Sequence, residues 1–203
     1  MFIERLTLIN FRCFGPKATT IDLTSGLTAF IGANGAGKTA VMQALQRMFG
    51  ITGDQRRPRR QDFHVPAGES GAPRERHLVL EAILAFPELD VGGADAVAIP
   101  EFFHQMCADN AGRLKCRLRL EATWTDDGSL DGTIEQKYRA VHTFGDDFID
   151  ANCTEIKAID LGRIGRVPGS GVRTVGKWPA AATATSQAAA GHLSTAVAIA
   201  SLC

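Results

Sequence analysis

The stretch LTAFIGANGAGKTAVMQALQRMFG, residues 27–50, decides how the rest of the chain is read. Residues 27–31 form a short apolar run with the length of a buried strand, and Val41, Ala44, Leu45 and Met48 then recur at helical spacing. Between them, residues 32–39 fit G-x-x-x-x-G-K-[ST], in the strand–loop–helix setting that gives this pattern its meaning. Gly32, Gly35 and Gly37 allow positive φ and close backbone approach. Successive amides along Gly32, Ala33, Asn34, Gly35, Ala36 and Gly37 can therefore converge on phosphate oxygens. A helix opening at Gly37 or Lys38 adds its positive end to the same spot. Lys38 can place an ammonium on the β- and γ-phosphates, and Thr39 can offer a hydroxyl to Mg²⁺. A plain glycine turn would explain one or two glycines, but not Lys38 and Thr39 at this offset. The expectation is a P-loop that binds a nucleoside triphosphate with magnesium.

The chain has 203 residues, enough for one large domain or one and a half, with a real core. Its 22 basic and 22 acidic residues leave a formal net charge of zero, so any attraction to nucleic acid must come from a local patch. Five cysteines, Cys13, Cys107, Cys116, Cys153 and Cys203, form no C-x-x-C pair, which argues against a disulfide framework or a zinc ribbon. His64, His77, His104, His142 and His192 are scattered without ligand spacing. The N-terminus carries Glu4 and Arg5 inside its apolar run and lacks a signal-peptide layout. No span approaches the ~18 apolar residues that a membrane helix needs. A cytoplasmic protein without membrane contact is expected.

Along the chain, residues 2–11 read as a strand and ATTIDLTSG as a second one, together an antiparallel pair ahead of the loop. Residues 50–76, rich in Gly, Pro and charge, read as a long surface loop. Residues 77–86 are a further strand, ended by Pro87, and residues 100–110 a short helix. The clearest β signal follows. Leu114, Cys116, Leu118, Leu120, Ala122 and Trp124 alternate with Lys115, Arg117, Arg119, Glu121, Thr123 and Thr125, and Ile134, Tyr138 and Ala140 continue on a returning strand after turn residues 126–132. The wet face of this hairpin would carry Lys115, Arg117, Arg119, Lys137 and Arg139. These residues could meet DNA phosphates or simply stay solvated, and the same choice holds for Arg56, Arg57, Arg59 and Arg60. From Gly165 the character changes: residues 165–203 contain ten alanines and no acid. They read as a poorly ordered tail, with weak helix around 188–202, or as sequence that follows a disrupted reading frame near Arg163.

The entry NFRCFG, the strand ATTIDL and LTAFIGANGAGKTAVMQALQRMFG resemble the start of an ABC-type ATPase head of the RecF, SMC and OLD-nuclease kind. Through RRQDFHVPAGE and the hairpin, the resemblance extends to the N-terminal ATPase region of OLD-family ATP-dependent endonucleases. It implies an α/β P-loop fold in which residues 1–164 are an incomplete head with a mixed sheet and hairpins. It implies ATP and Mg²⁺ as ligands, phosphate contacts from residues 34–39, magnesium at Thr39 and a supporting nucleotide contact from Arg12. Heads of this kind act as pairs, on DNA in repair, recombination or phage defence. Hydrolysis there needs an apolar strand ending in Asp-Glu, and a Toprim domain supplies the nuclease. Neither is present in this chain, whose last acidic residue is Asp160.

Glu81 in HLVLEAILAF sits mid-strand and reads as an ordinary strand residue, so no catalytic residue is assigned. The leading expectation is the ATP-binding portion of a DNA-acting ATPase, truncated before its catalytic parts and not hydrolysing alone. The alternative is a non-hydrolysing interaction module controlled by nucleotide. Asp90 opens DVGG, which fits the D-x-x-G of GTPases, but no N-K-x-D follows.

Overall fold

The computed structural model describes residues 1–71, 73–90, 105–146 and 149–157. Strands β1 (Phe2–Ile9), β2 (Thr19–Asp22), β3 (Glu75–Ala85), β4 (Met106–Ala108), β5 (Leu114–Thr125), β6 (Thr133–Val141) and β7 (Cys153–Glu155) join one sheet of order β2-β1-β3-β5-β6-β7, with β4 also pairing β5. Every pairing among the described strands is antiparallel. Helix α1 (Lys38–Phe49) covers one face; the short helices α2 (Gly53–Arg56) and α3 (Pro87–Asp90) and a 3₁₀ turn at Arg60–Asp62 complete the set.

The period-2 pattern explains the layering. Leu78, Leu80, Ala82 and Leu84 of β3 lie opposite Ala122, Leu120, Leu118 and Cys116 of β5, and all face the core with Leu6 and Leu8 of β1. Val41, Ala44, Leu45 and Met48 of α1 close over them, as their helical spacing requires. Fully burying one such leucine is worth about 1.5–3 kcal/mol, so this two-layer contact is what fixes α1 on the sheet. Burial also pushes the Cys116 thiol up to about 12, consistent with an inert core residue.

Several expectations change. Residues 27–31 form no strand: Leu27 is 66% and Ile31 71% exposed, and only Phe30 packs against the core. An apolar run becomes a strand when a neighbour accepts its ladder bonds, and none of the described strands lies beside this one. Residues 50–76 are more ordered than a surface loop, because α2 is closed by a Thr52–Gln55 capping box and Asp62 is wholly buried. Within the expected 100–110 helix, Met106–Ala108 pair as a strand with β5, while residues 100–104 lie outside the described residues. The 165–203 tail lies outside them too, as do the residues that follow Asp90 in DVGG.

Candidate nucleotide-binding site

Helix α1 begins without a side-chain cap and without an acidic residue in its first turn. Its N-cap is Gly37 with φ 86°, a left-handed conformation that a Cβ resists, and Gly35 matches it at 84°. Gly32 does not adopt positive φ, contrary to expectation. Residues 31–36 are exposed, so the loop and the positive helix end are open to solvent together, with the Ala36 amide donating to the Ala33 carbonyl at 3.2 Å. Lys38 folds over the loop, and its Nζ donates to the carbonyls of Gly32 and Ala33 at 2.7 Å each. The ammonium is thus already held above the amide cradle. Thr39, one residue into the helix, is exposed. These features fit a phosphate chain with Mg²⁺: residues 32–39 would hold the phosphates and Thr39 the metal. Bound Mg²⁺ would neutralise phosphate charge; among the described residues there is no cluster of three metal-ligating side chains that could hold an ion on its own.

The turn after β1 forms the wall behind the loop. A Cβ on Gly37 would lie 2.9 Å from Phe14 Cζ and 3.2 Å from Cys13 Sγ. Arg12, expected to support the nucleotide, instead directs its guanidinium to Asp62: Nε donates to Oδ1 at 2.9 Å and Nη2 lies 2.7 Å away. Asp62 also accepts from Arg47 Nε at 2.7 Å and from the Arg59 amide at 2.9 Å. The Asp62 carbonyl takes the Arg12 amide at 2.8 Å, and His64 Nδ1 lies 2.6 Å from the Arg12 carbonyl. Sequence reasoning missed Asp62, although one acid between four arginines and an aromatic was a visible signal.

The basic rows divide. On the hairpin, the expected wet face is an ion-pair lattice. Arg117, 5% exposed, pairs with Glu81 at 2.9 Å and Asp146 at 2.6 Å. Arg119 pairs with Glu81 at 3.1 Å and Glu121 at 2.8 Å, Arg139 with Asp150 at 2.8 Å, and Lys115 with Glu4 at 2.8 Å and Asp109 at 3.1 Å. Burial works against the Lys115 charge, but Glu4 and Asp109 outweigh it and hold its pKa above the ordinary value. Glu81 is spent on two arginines, consistent with a structural strand residue.

In the other row, Arg56 is buried and caps the carbonyls of Gly50 and Ile51 at 2.6 and 3.0 Å. Arg60 lies 5.1 Å over the Trp124 ring and donates to the Leu130 carbonyl at 2.5 Å. Arg57, exposed and in no ion pair among the described residues, lines an open groove of about 720 Å³ with Arg59, Arg60, Phe63, Val65 and Ile134.

Residues 5–80 match the AAA domain family. A 45-residue segment is 47% identical to the DNA replication and repair protein RecF of Rhodococcus erythropolis, covering 22% of this chain and 10% of that protein. A 92-residue segment is 31% identical to the chromosome partition protein Smc of Pyrococcus furiosus, covering 45% of this chain and 8% of that one. The matched parts thus span about a tenth of these relatives or less. Among solved structures, one reported as the structural biochemistry of ATP-driven dimerization and DNA stimulated activation of SMC ATPases is 18% identical with TM-score 0.45, over 81% of this chain and 77% of that one. The Smc head of Pyrococcus furiosus bound to the C-terminal domain of ScpA is 16% identical with TM-score 0.43, over 80% and 32%. The fold class is α/β, and the matched region is similar to the AAA domain family and to segments of RecF and Smc.

Proposed function

We propose that this chain is the nucleotide-gripping lobe of an ATPase that acts on DNA. One observation carries the reading: an uncapped α1 N-terminus behind two left-handed glycines, with the Lys38 ammonium poised over the loop carbonyls. That arrangement suits a Mg²⁺-bound triphosphate. Residues 1–164 would then be part of a head and residues 165–203 a tail outside it. The exposed Leu27 and Ile31 support a partial head, since among the described residues no strand covers the loop's leading segment.

Hydrolysis is not assigned to this chain. Among the described residues, the buried acid of β3, Glu81, is held in ion pairs by Arg117 and Arg119, an arrangement that does not favour polarising water. Pairing of two heads around nucleotide is the further proposal, with DNA held at the Arg57 groove rather than on the hairpin face. The narrower likeness to OLD-type nuclease heads rests on the residues quoted for it above. A reducing, cytoplasmic setting is supported by the free thiols of Cys13, Cys107, Cys116 and Cys153. Among the described residues, no helix is long and apolar enough to cross a membrane.

The test is calorimetry of the full chain with ATP and Mg²⁺. Wild type is expected to bind and Lys38→Ala to lose about tenfold or more in affinity, by removing one charge-assisted phosphate contact. Sustained phosphate release by the same material is expected to be absent. Equal binding by the two proteins would remove the phosphate site.

A further inference from the structure

The phosphate loop rests on a turn that is itself under constraint. Asn10 and Arg12 are the two non-glycine residues with positive φ among the described residues, at 53° and 52°. Side chains bearing a Cβ disfavour this region, so the surroundings must hold the turn in place. Most of those holds come from residues 62–64. The Asp62 carbonyl accepts the Arg12 amide, the Asn10 carbonyl accepts the His64 amide at 2.9 Å, and Phe11 bridges Phe63. The Asp62 carboxylate adds the side-chain hold on Arg12, with Arg47 of α1 on its other oxygen. Immediately beyond Arg12, Cys13 and Phe14 fill the space that a Cβ on Gly37 would need.

A buried carboxylate shared by two arginines is a poor device for stability alone, because desolvation cancels much of the attraction and apolar packing would serve as well. It is a good device for fixing position, since its geometry is directional and its partners come from three separate segments. We infer that Asp62 is a positioning residue for the phosphate loop: through its ion pair with Arg12 it holds the turn against which Gly37 sets the first amides of α1. This rests on the nucleotide-binding reading. It gives the buried acid a role that the phosphate contacts themselves do not.

The experiment measures ATP–Mg²⁺ affinity of the full chain by calorimetry, with thermal unfolding recorded on the same samples. Asp62→Asn is expected to weaken binding about tenfold at temperatures where it is folded. Arg47→Met removes the other half of the cluster but leaves the Arg12 pair, so it should lower the unfolding temperature while keeping affinity within about twofold. Asp62→Glu, which keeps the charge, should recover part of the loss. Arg12→Gln should weaken binding to the same degree as Asp62→Asn, and the double variant should be no weaker than the worse single one. If Asp62→Asn does not fold, Arg12→Gln decides: unchanged affinity overturns the inference. So does an Arg47→Met loss equal to that of Asp62→Asn or Arg12→Gln, which would mark a merely structural cluster. Failure of wild type to bind would sink the nucleotide reading and the inference with it, whereas binding by wild type and Asp62→Asn alike sinks the inference alone.

Discussion

A single methyl group on Gly37 would have to fit between Phe14 Cζ, Cys13 Sγ and a backbone angle of 86° that Cβ-bearing residues avoid. The angle alone costs an alanine on the order of 1–2 kcal/mol, and the Phe14 contact adds to it. Because Gly37 is also the N-cap of α1, the strain falls on the first helical amides. Gly37→Ala is therefore expected to weaken ATP binding at least tenfold by calorimetry, with the core of the protein intact by circular dichroism. Gly35→Ala, with nothing within 4 Å of its added Cβ, meets the backbone penalty without the clash and should lose less. Equal losses would show that the wall behind the loop plays no part. This residue was readable from the sequence as a glycine the loop needs. What was not readable is that Phe14 and Cys13, more than twenty positions earlier, make substitution worse, since such contacts depend on tertiary packing rather than spacing.

The β5–β6 hairpin shows the same division at the level of an element. Its strands were legible because alternation has one physical cause, a sheet with one face on the core. Its charged face was misread, because a side chain on the outer face of a strand counts as wet only when nothing lies over it. Thr143 and Asp146 return across Arg117 and bury it. The turn has its own acid. Hydrogen bonds from the Ser129 and Thr133 side chains and the Ser129 amide lower the Asp127 carboxyl to about 2.

A depressed folded pKa means that the stabilisation is fully present above the unfolded value of about 3.9 and is lost as pH falls through about 2. The gap in urea stability between wild type and Asp127→Asn should thus be widest above pH 5 and close as pH approaches 2. A gap that stays constant with pH would mean the carboxylate has no such linkage. Full exposure of this turn argues for a small effect.

Across the whole molecule, charge is distributed against the impression left by composition. A formal net charge of zero left only local patches as DNA candidates, and of the hairpin row Lys115, Arg117, Arg119 and Arg139 are paired with Glu4, Glu81, Asp109, Glu121, Asp146 and Asp150, while Lys137 is exposed and in no ion pair among the described residues. The groove at Arg57 is the other exposed cationic feature. DNA binding followed by fluorescence anisotropy should therefore show Arg57→Ala weakening retention and lowering the salt slope by about one unit, as expected for one lost phosphate contact. Lys137→Ala, on the lattice face, should leave both unchanged. The reverse pattern would return the DNA site to the hairpin. The β1–β2 and β5–β6 antiparallel pairs, the α1 stripe and the phosphate-loop motif could be read from local pattern, whereas the sheet expected to be mixed is antiparallel throughout the described strands. The failure of residues 27–31 to pair could not, because pairing needs a second segment and none of the described strands lies beside this one.

That open segment runs straight into the amides of the cradle. Any strand that docked there would stiffen the loop's leading edge, and thermodynamic reciprocity then applies: a docked strand would tighten the hold on a triphosphate by the same factor as the triphosphate tightens the hold on the strand. Assembly of the sheet and capture of nucleotide would become one coupled equilibrium, which either ligand could drive.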